Sequence, residues 1–180
     1  NTRTTDREGN ITRRENDSLG RTVRQIQENP GAPDPEISVG YDYDRNSRLT
    51  SLTDDNGNTT LYSYYETNAQ KYEEYPDGSR KINYYNNVGL LISYTDPNGT
   101  IVSLDYDNAG RMTNKLITRA SGIEGTTFEN FGYDGLGRMT FAEDDDSVIE
   151  RWYNSYGSVI EERQTVETGL QPVSTQIVKN

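Results

Sequence analysis

Residues 106–113 read Tyr106-Asp107-Asn108-Ala109-Gly110-Arg111-Met112-Thr113, and residues 133–140 read Tyr133-Asp134-Gly135-Leu136-Gly137-Arg138-Met139-Thr140. This is one pattern written twice. An Asp at the first position of a tight turn accepts hydrogen bonds from backbone amides, and a Gly three residues on tolerates a left-handed backbone. Outward from these stretches, related pairs stand at Tyr43-Asp44, Tyr65-Glu66, Tyr85-Asn86 and Tyr153-Asn154. The six Tyr are 22, 20, 21, 27 and 20 residues apart. Asn16-Asp17 with Gly20-Arg21 is a degenerate copy near the start. A period near 21 residues means one small unit stacked on itself, not an enzyme core.

Each period holds a second turn. Asp54 to Gly57 and Asp96 to Gly99 repeat the Asp-x-x-Gly pattern, and Asp77-Gly78 reads as a shortened form. Two turns in about 21 residues leave room for two strands of ordinary length. The sequence places strands over 48–53, 59–65, 80–85, 90–95, 100–106, 111–117, 128–133, 138–143, 148–153 and 158–163. Val102, Leu104 and Tyr106 fall on one face and Ile101 on the other; Leu90, Ile92 and Tyr94 also share a face. No apolar stripe of helical period and length appears. The expected fold is all-β: antiparallel β-hairpins in a curved or spiralling continuous sheet.

Composition narrows the function. The chain has 180 residues, no Cys and no His, so it can form no disulfide, no Cys/His zinc site and no Ser-His-Asp or Cys-His pairing. Leu, Ile, Val and Phe make up only 33 residues, and the net charge is −11, a balance that without the repeat would indicate disorder. Fourteen Tyr, all between Tyr41 and Tyr156, supply burial instead. Residues 31–180 carry 12 bases against 24 acids, which disfavours nucleic acid and other polyanions as partners. There is no apolar run of 18 residues and hence no helical membrane span. The chain starts at Asn1 without a signal peptide and reads as a segment of a longer protein.

A larger period lies over the short one. Tyr43, Asp44, Arg48, Thr50, Asp54 and Asp55 recur 90 residues later as Tyr133, Asp134, Arg138, Thr140, Asp144 and Asp145. The extra residues fall in 29–36, with Pro30, Pro33 and Pro35, and near 120–127, both expected to protrude as loops. The organisation expected is one repeat segment over 1–180, about seven repeats, with superperiod blocks 16–105 and 106–180.

The 106–113 and 133–140 strings, with the linking Thr95-Asp96-Pro97-Asn98-Gly99-Thr100, resemble the consensus of RHS proteins, also called YD-repeat proteins. The resemblance covers about residues 5–163. Ser47 stands where the turn Gly is expected, Ala69-Gln70 replaces Gly-Arg, and Asp146-Ser147-Val148 lacks the second Gly. In RHS polymorphic toxins, the BC components of Tc toxins and teneurins, such repeats close into a hollow shell. In the toxins the shell holds a cleaved C-terminal polypeptide, freed by an aspartate-based self-cleavage in a separate plug region. No such region is found here, and Asp96-Pro97-Asn98-Gly99 reads as an ordinary turn.

The resemblance therefore implies a structural wall segment, exported to the extracellular space or cell surface of a bacterium, enclosing or presenting a polypeptide. A repeat unit of an extracellular fibre, tube or adhesive surface is the alternative. Partners would be further repeats, copies of the chain itself, or an enclosed C-terminal polypeptide. No catalytic residue, cofactor-binding residue or metal ligand is assigned. Asp42 with Asp44, or Glu73 with Glu74, could be proposed as a glycoside-cleaving pair, but nothing singles them out from 29 acids. Asp54-Asp55-Asn56-Gly57-Asn58 loosely resembles a calcium loop, yet Ser63 stands where the closing Glu is needed. Trp152 reads as a packing residue. Arg48, Arg111 and Arg138 are expected to make cross-turn ion pairs or cation–π contacts.

Overall fold

The structure, a computed structural model, describes residues 1–7, 9–28, 36–168 and 171–179. Among the described residues it holds sixteen strands and no helix. The chain forms two compact units, Asn1–Ile82 and Asn83–Asn180. The first contains β1 (Thr2–Thr5), β2 (Ile11–Asn16), β3 (Thr22–Glu28), β4 (Glu36–Tyr43), β5 (Leu49–Thr53), β6 (Thr59–Tyr64) and β7 (Gln70–Glu74). Strand β8 (Arg80–Tyr85) straddles the boundary. The second contains β9 (Leu91–Thr95), β10 (Ile101–Tyr106), β11 (Met112–Thr118), β12 (Phe128–Tyr133), β13 (Met139–Asp144), β14 (Ser147–Tyr153), β15 (Val159–Thr168) and β16 (Gln171–Lys179).

Within each unit, strand order in the sheet is chain order. Antiparallel neighbours need only a tight turn between them, and the turn chemistry of this sequence supplies one every ten or so residues. The same turn recurs eleven times among the described residues. The Asp107 amide donates to the Arg111 carbonyl at 2.9 Å, and the Gly110 amide donates back to the Asp107 carbonyl at 2.9 Å. This is a type I turn followed by a left-handed residue. In six of these hairpins a register shift sits just before the Tyr, or before Asn16 in its place: at Glu15/Asn16, Asp42/Tyr43, Ser63/Tyr64, Asp105/Tyr106, Gly132/Tyr133 and Trp152/Tyr153.

Two positions correct the sequence reading. The third turn starts at Tyr65, whose amide bonds the Ala69 carbonyl, so the paired Tyr is Tyr64 and not Tyr65. The paired Tyr at 43, 64, 85 and 106 are then 21 apart throughout. Likewise the linker near Asp77 is not shortened. It is a full turn from Tyr75 to Gly78, with Tyr in the place of Asp. Ser47 adopts the left-handed conformation the pattern demands, at φ of 62°; in the third turn that place belongs to Asn68, at φ of 68°, so Asn68-Ala69 and not Ala69-Gln70 stands for Gly-Arg.

Little is buried. The apolar core among the described side chains is Ile26, Val102 and Leu104. Val102 and Leu104 share the covered face while Ile101 lies exposed on the other, as alternation requires. Ile92 is 39% exposed despite sharing the face of Tyr94. With so small a core, the fold depends on ladders, turns and the polar contacts described next.

Turns alternate between two rims of each unit. The Tyr-Asp turns at 17–20, 44–47 and 65–68 leave from one rim of the first unit, and those at 86–89, 107–110, 134–137 and 154–157 from one rim of the second. The linker turns leave from the opposite rim. The connection 119–127 leaves from the linker rim, and Asp145 there accepts from the Thr127 amide and from the Thr127 hydroxyl at 2.6 Å. In the first unit Asp55 accepts from the Ser38 amide at 3.0 Å in the equivalent place. Residues 29–35, which include the expected loop with its three prolines, lie outside the described residues.

Candidate functional site

The repeated chemistry of this chain is an Asp-Arg-Tyr clasp. In its turn, Asp107 Oδ1 accepts from the Ala109 amide at 2.9 Å and the Arg111 amide at 3.0 Å. Its Oδ2 accepts Arg111 Nε and Nη2, both at 2.6 Å. Arg111 then reaches out of its own hairpin. Nη1 donates to the Asp134 carbonyl at 3.2 Å, and the guanidinium lies 4.8 Å over the Tyr133 ring. Tyr133 closes the circuit by donating its hydroxyl to the Met112 carbonyl at 2.9 Å. One planar fork thus satisfies a carboxylate, a carbonyl and an aromatic face at once, a task Lys cannot perform.

The same circuit occurs three more times. Arg21 joins Asp17 to the Asp44 carbonyl and lies 4.8 Å over Tyr43, whose hydroxyl donates to the Thr22 carbonyl. Arg48 joins Asp44 to the Tyr65 carbonyl and lies 4.8 Å over Tyr64, whose hydroxyl donates to the Leu49 carbonyl. Arg138 joins Asp134 to the Asn154 carbonyl and lies 4.5 Å over Tyr153, whose hydroxyl donates to the Met139 carbonyl. Where Leu90 replaces the Arg, Tyr106 still donates to the Leu91 carbonyl at 2.8 Å. The tyrosine bond is therefore independent of the cation.

The carboxylates of all four clasps are held below their ordinary pKa. For Asp17 the Arg21 side chain is the largest cause; for Asp44, Asp107 and Asp134 it is the amide of the clasping Arg, and partial desolvation opposes it. The clasp keeps these groups ionised and engaged in the turn.

The proposed carboxylate pairs do not assemble. Asp42 lies on β4 and accepts from Ser51 Oγ at 2.6 Å, whereas Asp44 is locked in a clasp. Glu73 and Glu74 are consecutive on β7 and so face opposite ways; Glu74 pairs with Arg80 at 2.6 Å, and Glu73 lies opposite Lys81. In the calcium-like loop Asp54 binds its own turn amides and Asn58, while Asp55 holds Ser38. Asp144 is committed to the Asp146 and Ser147 amides. Among the described residues no group of three or more acids could hold a metal ion. Trp152 is 40% exposed and carries Arg163 at 5.3 Å over its ring. A shallow hollow of about 140 Å³ in the second unit is floored by Phe131, Ala142 and Ile149 and edged by Glu129, Glu143, Asp144 and Ser147. Ser147 Oγ donates to Asp144 Oδ1 at 3.0 Å within the turn that joins β13 to β14.

The ion pairs and cation–π contacts expected of Arg48, Arg111 and Arg138 are both present. Sequence reasoning missed that Arg21 is an equal member and that each Arg bonds the following turn. A signal existed, because Gly20-Arg21 precedes Tyr43 by the same interval that separates Gly110-Arg111 from Tyr133.

Comparison with known proteins agrees with this architecture. Residues 85–124 match the RHS Repeat family. No curated protein matches the chain. Among solved structures, the crystal structure of TcdB2-TccC3-TEV is similar over 89% of this chain at 15% identity, with a TM-score of 0.73. TcdB2-TccC3 is similar over 90% at 16% identity and a TM-score of 0.71. The Tc holotoxin pore of Photorhabdus luminescens is similar over 87% at 16% identity and a TM-score of 0.70. In each case the chain spans 9% of the length of the chain it matches. At these identities the likeness establishes the fold.

Proposed function

We propose that this chain, which carries an RHS repeat at residues 85–124, is a wall segment of a shell that encloses or presents another polypeptide. The supporting observation is that nearly the whole chain follows the fold of TcdB2-TccC3 while its polar chemistry is spent on joining one hairpin to the next. A wall needs stiffness and continuity. The clasp provides both, because each Arg ties its turn to the turn that follows. The reading assigns the chain no catalysis, and the acids of its four clasps are engaged in turns and ion pairs. No described helix is long and apolar enough to cross a membrane. The wall is exported and works at or outside the cell surface.

The organisation proposed is one repeat segment over 1–180, with blocks 16–105 and 106–180 related by the 90-residue superperiod. The equivalent carboxylates Asp55 and Asp145, each holding the strand that follows a long connection, support it.

Limited proteolysis of the full-length protein that contains this segment tests the reading. A shell yields a C-terminal fragment resistant to trypsin until the shell is opened by denaturant. A fibre, the alternative, yields a repeat ladder and no protected fragment, and that outcome would displace the wall. A panel of hydrolase substrates tests the absence of catalysis; turnover abolished by Asp42→Ala or Glu74→Ala would overturn it.

A further inference from the structure

Asn-Gly occurs at two places in the chain, Asn56-Gly57 and Asn98-Gly99, each time as the third and fourth residues of a linker turn. The pair carries latent chemistry. Glycine has no side chain to shield its amide nitrogen, so that nitrogen can reach the carboxamide carbon of the Asn before it. The structure sets the two pairs apart. In the turn at 96–100 the Asn side chain is held. Asn98 Oδ1 accepts the Thr100 amide at 2.9 Å; Thr100 is buried, and its hydroxyl accepts the Ala120 amide at 3.2 Å. A Cβ on Gly99 would lie 3.7 Å from that of Ala120, so the connection at 119–127 lies against this turn. The turn at 54–58 has no such cover. Asn56 and Gly57 are exposed, and no atom lies within 4 Å of where a Cβ on Gly57 would stand. Asp54 takes the Asn56 and Asn58 amides on Oδ1 at 2.9 and 2.8 Å and the Asn58 carboxamide on Oδ2 at 2.8 Å. The Asn58 side chain is therefore tied, whereas among the described residues no hydrogen bond holds the Asn56 carboxamide. What restrains the pair is the Gly57 amide, which donates to the Asp54 carbonyl at 3.1 Å in a turn that can open without disturbing a buried group.

We propose that Asn56 is a self-modification site, at which the folded chain converts its own turn while Asn98 stays intact. The Gly57 nitrogen gives its proton to water and bonds to Asn56 Cγ. The Cγ–Nδ2 bond breaks, and ammonia leaves with a proton returned by water. A second water opens the resulting cyclic imide at either carbonyl and leaves aspartate or isoaspartate at position 56. Water is consumed, ammonia is released, and nothing is oxidised or reduced. The isoaspartate form runs the main chain through the former side chain, which adds a methylene to the turn between β5 and β6. The amides of residues 56 and 58 then no longer converge on Asp54. A new carboxylate also joins Asp54 and Asp55, and Asp55 is the group that holds the Ser38 amide on β4. Modification thus loosens the first unit at one turn. The inference goes beyond the wall reading and does not depend on it.

Peptide mapping by mass spectrometry, with isoaspartyl methyltransferase labelling, tests it on the chain aged in neutral buffer and, in parallel, in concentrated urea. In the folded chain Asn56 is expected to convert at least about tenfold faster than Asn98, because only the second must first leave a packed turn. In urea the two rates should fall within about twofold of each other, since both pairs are then equally free. Asn56→Ala removes the labelled peptide; Ala109 already occupies the same place in the turn at 107–110, so the variant retains the turn. The aged wild type should unfold at lower urea than the fresh protein, and aged Asn56→Ala should not. Four results overturn the proposal. One is Asn98 converting as fast as Asn56 in the folded chain. Another is Asn56 left intact in the fold while it converts in urea. A third is the same preference in urea as in the fold, which assigns it to neighbouring sequence rather than structure. The last is an equal loss of urea resistance in aged Asn56→Ala.

Discussion

The first and second units build the same turn from different strands. On β4 and β5 the pair opposite each other before the clasp is Asp42 with Ser51, joined by a 2.6 Å hydrogen bond. Ninety residues on, β12 and β13 put Gly132 against Phe141 in the same register. A Cβ on Gly132 would lie 3.1 Å from that of Phe141, so the aromatic ring occupies the room a side chain would take. The left-handed turn position differs as well. Ser47 and Asn68 fill it in the first unit and receive the preceding Arg on their side-chain oxygens at 3.3 and 3.1 Å; Gly137 and Gly157 fill it in the second. The lesson is that the clasp fixes the hairpin, while the pair beside it is free to be polar or aromatic.

The largest effects test the small cores on either side of the comparison. Ile26→Ala in the first unit and Leu104→Ala in the second are expected to cost about 2–4 kcal/mol each, measured by urea unfolding. A loss under about 0.5 kcal/mol, the range of surface changes, would show that neither site is a core.

Next, Gly132→Asp writes the first unit's strand residue into the second. It is expected to cost about 2–3 kcal/mol, because the carboxylate meets Phe141 without a hydroxyl partner. Adding Phe141→Ser should restore more than half of that. If the double variant is no better than the single one, the two pairs are not interchangeable and the comparison fails.

Smaller losses, about 1 kcal/mol, are expected for Arg48→Lys and Arg138→Lys, since an ammonium cannot serve carboxylate, carbonyl and ring together. Equal losses in the two units would sharpen the claim that the clasp is common to both. Ser47→Gly should stabilise by about 0.5–1 kcal/mol through relief of the left-handed backbone, less whatever the Arg21 contact contributes. Asn68→Gly should gain less, as Asn tolerates that conformation.

The pH dependence has a definite sign. Carboxylates held low in the fold contribute stability that is complete above the unfolded Asp value of about 3.9 and disappears as pH falls through the folded value. Wild type should therefore lose urea resistance below about pH 4. The slope there should flatten in variants lacking Arg48 or Arg138. An unchanged slope would mean that the clasps do not link protons to folding.

Much of the fold was legible because the turns announce themselves. Strands β8 and β12 were read to the residue, and most others to within one or two. Failures came where a residue type departed from the pattern. Tyr65 and Tyr75 stand in the Asp position of their turns, and the eye follows the Tyr rather than the 21-residue period. Strands β1, β2, β3, β4, β7 and β16 were not among those the sequence placed; Ile11–Asn16 and Gln70–Glu74, for example, are mostly polar, and a sheet with so little buried surface does not require otherwise. Of the clasp, the Asp, the Arg and the Tyr were each visible. That the Arg serves the following hairpin showed only in the interval shared by Arg21–Tyr43 and Arg111–Tyr133, since bonds to backbone carbonyls leave no mark on residue identity.

Within each unit, every strand ladder joins neighbours in the chain. Loop closure is then brief at each step, and folding rate follows such locality. A hairpin can close as soon as its second strand emerges from a ribosome or a secretion channel, and each completed strand becomes the template for the next. The chain can therefore assemble strand by strand from its leading end, with no distant segment to wait for.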